Sequence, residues 1–235
     1  PRKDGVKLPT KDEALAVLAD TAKAEVEAWK DETAGRDLMK RPEVPGTVVK
    51  REEIKELGIT IATLSNGVKV WLKPTDFKQD EVLLTAFSKG GLSMSPLESF
   101  VSASNATAIV ELSGLADMDA VALQKAMAGR MAGLRPTIEP YYEGLEGGAS
   151  PEDLETLFQL VHLQFTAPRK DDQAAQTLMR NLKASLENRL SSPDAWFEDR
   201  TAQVLHRNHP MYRALRMEDL GGLDPNVALD FYRQR

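Results

Sequence analysis

The sequence contains no cysteine and only three histidines among its 235 residues. The lack of cysteine excludes disulfides, thiolate metal sites and a cysteine nucleophile. Any metal site or acid–base site must therefore use His162, His206 or His209, or rely on carboxylates. No window of about 18 consecutive apolar residues occurs, so a membrane is not an expected partner.

Charge of one sign is nowhere concentrated in the sequence. Lys and Arg number 30 and Asp and Glu number 36, which gives a formal net charge of −6. No run of about five like charges occurs, whereas a nucleic-acid binder usually has a broad electropositive surface. Nucleic acid is therefore not an expected partner. Hydrophobic residues at 42% and charged residues at 28% are typical of a globular protein.

The first 57 residues are predicted to lie outside the main domain. Apolar residues recur at helical spacing from Thr10 to about Thr33, which predicts one amphipathic helix. Residues 41–46 contain Pro and Gly, which predicts a linker. We interpret residues 1–57 as the C-terminal helix of a preceding domain plus a linker, and residues 58–235 as an α+β domain.

The two ends of the sequence suggest a piece of a longer chain. The N-terminus has neither an initiator Met nor an apolar signal segment. Near the other end, Asp224-Pro225 is a helix start, and the sequence stops at Arg235 without a glycine cap. We therefore expect the domain to be truncated at its C-terminus.

The early part of the main domain is predicted to form three strands. Ile59–Leu64 and Val68–Leu72 flank Asn66-Gly67, and Asn-Gly supplies the positive φ angles of a type I′ hairpin turn. A third strand is expected at residues 81–88, and Gly90-Gly91 ends it. All three strands precede the first helix of the domain.

Residues 135–149 are predicted to lie at the margin of a sheet. They contain β-type residues that are interrupted by Pro136 and Pro140. Two prolines four residues apart have their missing N–H groups on the same side of a strand, and an edge strand tolerates both.

The helices are predicted mainly from their capping residues. They comprise residues 99–112, a shorter helix capped by Asp117 or Asp119, a helix that Ser150-Pro151 begins, one from about Asp171, one that Ser192-Pro193 begins and one that Asp224-Pro225 begins. The Ser150 helix has an apolar stripe formed by Leu154, Leu157, Phe158, Val161 and Phe165. Strands early and helices late indicate an α+β fold, an antiparallel sheet with helices packed on one face.

The three histidines are not predicted to bind a metal. His162 has no Glu or His three or four positions away, so it lacks a neighbouring ligand on its helix. His206 and His209 have a suitable spacing, but Pro210 pushes His209 towards extended geometry and past the helix end.

The carboxylates and glycines also leave the chemistry unassigned. Glu139, Glu143 and Glu146 cluster in the margin region, and we interpret them as a solvated acidic rim. No Gly-x-Ser-x-Gly, Walker or dinucleotide-binding pattern occurs. We assign no catalytic, cofactor-binding or metal-ligating residue.

Five short segments occur in a characteristic order. They are residues 64–74 (LSNGVKVWLKP), 87–91 (FSKGG), 150–154 (SPEDL), 165–169 (FTAPR) and 209–212 (HPMY). Together they resemble the pitrilysin/insulinase family of zinc peptidases. The resemblance covers residues 58–235, which are similar to the second half of large periplasmic-type bacterial members with two fused homologous halves.

The resemblance implies zinc chemistry for the family but not for this region. The family holds zinc with His-x-x-Glu-His on a helix, whereas the matching residues 99–110 contain neither His nor Glu. Glu98 and Glu111 flank them. The resemblance therefore implies zinc in the parent protein, no cofactor in this fragment, and an inert half-domain that forms one wall of a peptide-enclosing chamber.

The same resemblance implies the partners and leaves two alternatives. The expected partners are the catalytic half of the same polypeptide and a peptide substrate, and the expected location is the periplasm. One alternative is a non-peptidase scaffold or assembly subunit of the same fold. The other is an unrelated α+β module that binds an extended peptide along the proline-rich edge strand.

Overall fold

The computed structural model describes residues 9–23 and 37–235. The chain divides into two compact units, residues 1–32 and residues 33–235. In the first unit, helix α1 spans Lys11–Lys23. Thr10 and Glu13 form a capping box, in which the Thr10 N–H donates to Glu13 Oε2 at 2.7 Å and the Glu13 N–H donates to Thr10 Oγ1 at 3.3 Å. The remainder of the helix predicted up to about Thr33 lies outside the described residues.

The first antiparallel sheet has three strands. They are β1 (Val48–Ile54), β2 (Ile59–Leu64) and β3 (Lys69–Leu72), in the order β1-β2-β3. The predicted hairpin of β2 and β3 is confirmed. Its turn is formed by residues 64–67, since the Gly67 N–H donates to Leu64 O at 2.9 Å. It is not type I′, because the positive φ, +88°, falls on Gly67, the last residue of the turn, rather than on the two central residues.

Strand β1 lies within residues 1–57, which were predicted to comprise the end of a preceding domain and a linker. Its residues pair with β2 from Val48 opposite Leu64 to Ile54 opposite Ile59. Four of the seven residues of β1 are charged, so the strand gives little sequence signal, and its β structure depends on the partner strand. The interpretation of residues 1–57 as the end of a preceding domain stays a prediction.

The second antiparallel sheet also has three strands. They are β4 (Val82–Lys89), β5 (Ala132–Ile138) and β6 (Tyr142–Ala149), in the order β4-β6-β5. Four strands, rather than the three predicted, therefore precede the first helix of this unit. Pro136 lies on β5 at the sheet margin, as predicted, but Pro140 lies in the turn between β5 and β6, and β6 is central.

Seven helices follow within the second unit, as far as the structure describes it. They are α2 (Phe100–Ser104), α3 (Ala106–Ser113), α4 (Ala120–Ala126), α5 (Leu154–Thr166), α6 (Asp172–Leu190), α7 (Pro193–Leu205) and α8 (Pro225–Gln234), with short 3₁₀ helices at Lys55–Leu57, Gly91–Met94, Leu97–Ser99 and Met217–Gly222. Side chains cap α4, α6, α7 and α8 at their N-termini; these are Asp119, Asp171, Ser192 and Asp224. No helix among the described residues is both long enough and apolar enough to cross a membrane.

Two of the predicted helices differ in detail. The helix expected at residues 99–112 is interrupted at Asn105, where α2 ends and α3 begins. Helix α5 begins at Leu154 rather than directly after Ser150. The Ser150 hydroxyl instead accepts the Asp153 N–H at 3.1 Å and stabilises a turn before the helix.

The helices pack on one face of the second sheet, which confirms the predicted α+β fold. Helix α3 is central, with Ala106, Ile109 and Val110 fully buried against α6 and α8. A second cluster joins α4 and α5 through Leu160 and Leu163, among others. The opposite face of the sheet exposes Leu83 and Phe87 of β4, which are 77% and 78% accessible. The sheet therefore has one apolar face covered by helices and one apolar face without cover from the described residues.

Candidate functional site

Helices α2 and α3 contain most of residues 99–110, which the sequence resemblance matches to a zinc-binding helix. Phe100, Ala103 and Val110 are buried in this segment, together with the hydroxyls of Ser102 and Ser113. A buried hydroxyl without a hydrogen-bond partner could indicate a ligand site. The hydrogen bonds of these two serines therefore decide whether the segment has a free polar group.

Both serine hydroxyls hold neighbouring loops in place. Ser102 Oγ donates to Gly222 O at 3.1 Å and accepts the Asp224 N–H at 2.9 Å. Ser113 Oγ donates to Ile109 O at 2.6 Å and accepts the Asp171 N–H at 2.9 Å. Each serine thus binds the residue that caps a following helix, and neither hydroxyl is left for a ligand.

The two flanking carboxylates occupy different environments. Glu98 lies exposed in the 3₁₀ turn before α2. Partial burial of the Glu111 carboxyl raises its pKa, and the charge of Arg135 opposes that shift. Nearby, Tyr232 donates to Gln164 Oε1 at 2.8 Å, and burial raises the pKa of this phenol, with the charge of Glu111 adding to the shift. The hydrogen bond between Tyr232 and Gln164 is a buried polar contact between α8 and α5.

The histidines are on the surface and contact aromatic or backbone groups. His162 is exposed on α5. His206 directly follows α7 and stacks on Tyr212, with ring centroids 4.9 Å apart. His209 lies beyond the helix end, as predicted, and its Nδ1 accepts the Met211 N–H at 3.3 Å. Residues 9–23 and 37–235 contain no group of three or more His, Asp and Glu side chains that could hold a metal ion.

The prediction of a solvated acidic rim is wrong for one of its three residues. Glu146 is exposed and pairs with Arg135 at 2.6 Å, and Glu139 is exposed. Glu143 is buried, and its Oε2 accepts the N–H of Gly91 in a short hydrogen bond. Alternation along β6 turns Glu143 towards the helices, where a backbone N–H compensates its burial.

Comparisons with known proteins agree with this architecture. No protein-family model matches the chain. Over 207 residues it is 29% identical to "Zinc protease PQQL-like" of Arabidopsis thaliana, covering 87% of this chain and 19% of that protein. Its fold resembles the periplasmic protease PqqL of Escherichia coli with a TM-score of 0.74 at 18% identity, covering 96% of this chain and 25% of that one. A mutant of the ferredoxin protease FusC in complex with Arabidopsis ferredoxin gives a TM-score of 0.72 at 20% identity, over 97% of this chain and 25% of that one.

These similarities to zinc-protease sequences and structures support the resemblance to the pitrilysin/insulinase-type zinc peptidases. It spans about a fifth of the Arabidopsis relative and a quarter of each of the two solved proteases. The residues of α2 and α3 do not fit the zinc of this family. Zinc in proteins prefers imidazole and thiolate donors, and residues 99–110 offer only apolar side chains, hydroxyls and one amide.

Some structurally important residues were not recognised from the sequence. Glu143 was grouped with exposed carboxylates, and the Tyr232–Gln164 contact joins residues that are 68 positions apart. The Gly90-Gly91 pair was the available signal for the contact with Glu143, because two adjacent glycines after a strand indicate a close approach of another chain segment.

Proposed function

We propose that this chain is a non-catalytic half-domain of a larger zinc-dependent metalloendopeptidase. Its role is to form one wall of a closed chamber that confines a peptide, and to contact the catalytic half of the same polypeptide. The relationship to zinc proteases supports the family, and the coverage of a quarter or less of each relative supports a part of a larger protein.

The composition of α2 and α3 is the observation on which the proposed inactivity rests. A zinc peptidase uses the metal to bring the pKa of a bound water near 7, and this requires a ligand set at the metal. In residues 99–110 there is no imidazole or carboxylate, and the buried hydroxyls of Ser102 and of Ser113 at the end of α3 are occupied by backbone contacts. Zinc therefore belongs to another part of the parent protein.

Exposed apolar side chains support contacts with the rest of the polypeptide. The residues concerned lie on β3, on the uncovered face of β4 and on α7; they are Trp71, Leu72, Leu83, Phe87 and Phe197. Large apolar side chains that are exposed in an isolated domain are candidates for contact with another part of the protein. A chamber wall that is also joined to a second half needs such surfaces.

The location and the substrate class follow from the relatives. PqqL is described as a periplasmic protease of Escherichia coli. By this analogy we propose a periplasmic location and a peptide substrate for the parent protein.

Zinc binding and peptide hydrolysis by the purified chain test the proposed inactivity. The chain is incubated with zinc and an unfolded peptide, and we expect neither stoichiometric zinc binding nor cleavage that EDTA prevents. The full-length polypeptide, which we expect to contain His-x-x-Glu-His, provides the positive control. A His162→Ala variant of the chain identifies adventitious binding by that exposed imidazole.

Two results would contradict the proposal. Zinc bound at one equivalent by the chain, unaffected by His162→Ala, would show a metal site in this region. A full-length polypeptide without zinc or peptidase activity would instead favour a scaffold subunit of the same fold.

A further inference from the structure

A cavity of about 620 Å³ lies between helices α6 and α7 and the segment 214–218. Its volume is within the range of small-ligand and peptide side-chain pockets, roughly 300–1,000 Å³. Helix α7 contributes Trp196, Arg200 and Gln203 to the lining, and the segment contributes Met217. The cavity lies away from α2 and α3 in sequence, and none of their residues line it.

Ion pairs within the protein fix the walls of this cavity. Arg189 of α6 binds both carboxylate oxygens of Asp199 on α7, with Nη2 to Oδ1 at 2.6 Å. Arg213 pairs with Asp219 through two hydrogen bonds of 2.5 and 2.7 Å, and both side chains are 13% exposed. Arg216 pairs with Glu218 at 3.1 Å. These ion pairs hold the cavity walls in place before any ligand binds, which lowers the entropic cost of binding.

Arg200 differs from the other arginines of the cavity because no carboxylate of residues 9–23 and 37–235 pairs with it. Within the described part of the chain, its guanidinium makes one polar contact, from Nη1 to Gln203 Oε1 at 3.3 Å. Of the five charged side chains in the lining, Arg189, Arg200 and Arg216 are cationic and Asp199 and Glu218 are anionic. Arg189 also pairs at 3.4 Å with Glu198, which lies outside the lining. Arg200 is therefore the one lining cation that no carboxylate of the described residues pairs with, in a chain whose formal net charge is −6.

An apolar surface lies beside this free guanidinium. Trp196 and Arg200 are four residues apart on α7 and so share a face of the helix. The Trp196 side chain is 60% exposed and Met217 is 37% exposed. Tryptophan provides a large rigid contact surface, and methionine adapts to different side chains.

We propose that this cavity binds an acidic peptide segment, with a peptide carboxylate on the Arg200 guanidinium and a neighbouring apolar side chain against Trp196. The planar guanidinium binds carboxylates through two parallel hydrogen bonds, which favours acidic over neutral or basic peptides. The proposal deepens the proposed function, on which its biological role rests, by assigning a substrate class to one wall of the chamber.

Fluorescence anisotropy of labelled peptides tests the binding. The full-length polypeptide is titrated in EDTA, so that cleavage does not affect the readout, with the peptide Gly-Asp-Phe-Glu-Leu-Asp-Ser-Phe-Glu-Gly. A second peptide has Asn and Gln in place of Asp and Glu, and a third has Lys. We expect saturable binding of the acidic peptide, about 3- to 10-fold weaker binding of the neutral one, and a loss of affinity as salt is added.

Substitutions locate the site. Arg200→Gln and Trp196→Ala are each expected to lower the affinity for the acidic peptide by about 3- to 10-fold. Arg200→Gln should also abolish the preference for the acidic over the neutral peptide. Arg180→Gln is the matched control, because Arg180 is also exposed, on α6, and contacts only Thr177 Oγ1, at 3.0 Å, among the described residues. Circular dichroism and thermal melts verify that the variants fold, and Arg200→Lys should bind with intermediate affinity.

Three results would overturn this proposal. They are no binding of the acidic peptide to the full-length polypeptide, equal binding of acidic and basic peptides, and equal effects of Arg200→Gln and Arg180→Gln. Because the titration needs no hydrolysis, a protein that lacks peptidase activity but binds the acidic peptide through Arg200 would contradict the proposed function and leave this site intact.

Discussion

At the scale of single residues, Gly91 combines a conformational and a steric requirement for glycine. Its φ is +62°, and a Cβ at this position would lie 2.1 Å from Glu139 O. Its N–H is also the group that compensates the buried Glu143. The glycine therefore permits a close approach of the segment after β4 to β6 that no larger residue allows.

Replacement of Gly91 by Ala is expected to destabilise the chain by about 3 kcal/mol or more, because backbone strain and a steric clash act together and the shift that they force weakens the hydrogen bond from the residue 91 N–H to Glu143. Gly129→Ala is the control, since Gly129 has φ +80° but nothing within 4 Å of its Cβ position, so only about 1 kcal/mol is expected. Urea denaturation of both variants measures the difference. Equal losses of unfolding free energy in the two variants would contradict this prediction, because they would show that the backbone around residue 91 shifts and removes the steric clash.

At the scale of elements, an ion pair stabilises the segment between α7 and α8. Arg213 and Asp219 pair within this segment, and Asp219 Oδ2 also accepts the Arg216 N–H at 2.8 Å. The hydrogen bonds from Arg213, followed by the Arg216 N–H and the positive charges nearby, lower the pKa of Asp219, although burial opposes the shift. The charged form of Asp219 is therefore favoured in the folded state.

The lowered pKa of Asp219 predicts the pH dependence of its contribution to stability. The contribution is fully present above the unfolded pKa, about 3.9, and is lost as the pH falls below that value through the folded pKa. At pH 7, Asp219→Asn is expected to cost about 1–3 kcal/mol, since it leaves Arg213 without its partner. The difference between wild type and variant in chemical denaturation should shrink below pH 4 or so.

Glu218→Gln is the control for this prediction. Its side chain is 72% exposed and pairs with Arg216, so we expect little change in stability at any pH. A loss for Asp219→Asn that stays constant down to about pH 2 would contradict the electrostatic explanation.

Helix α5 shows how far sequence pattern predicts an element. Its existence and approximate extent follow from the apolar spacing. Its buried apolar residues, however, are Leu157, Leu160 and Leu163, whereas Phe158 and Phe165 of the predicted stripe are 53% and 65% exposed. Apolar residues occur on more than one face of this helix. The sequence alone therefore left the buried face undetermined, and the position of the sheet and of α4 decided it.

At the scale of the whole molecule, the second sheet is covered by helices on one face only. Leu83 and Phe87 stand on the other face, opposite Gly148 and Gly144 of β6. Glycine opposite each large side chain leaves them accessible. Under the proposed function, another part of the polypeptide covers this face.

Replacement of Phe87 by Ser distinguishes a covered from an uncovered sheet face. Phe87 is 78% exposed, so the stability of the isolated chain should barely change. In the full-length polypeptide we expect a loss of about 1–2 kcal/mol, because a covered Phe side chain contributes up to about 3 kcal/mol. Phe77→Ser, at a position that is 91% exposed between β3 and β4, is the control. Thermal melts that show the same small effect in both forms would mean that the face is solvated in the whole protein.

The sequence by itself determined the starts of α6, α7 and α8 and the lack of imidazoles at α2 and α3, and it limited the cap of α4 to Asp117 or Asp119. A capping side chain bonds to backbone N–H groups only two or three residues away, and residue types are a direct property of the sequence. Only the tertiary structure decided the strand identity of β1, the buried face of α5 and the burial of Glu143. Each depends on a partner that is distant in the sequence, as for Glu143 and Gly91, which are 52 residues apart and meet only when the chain folds.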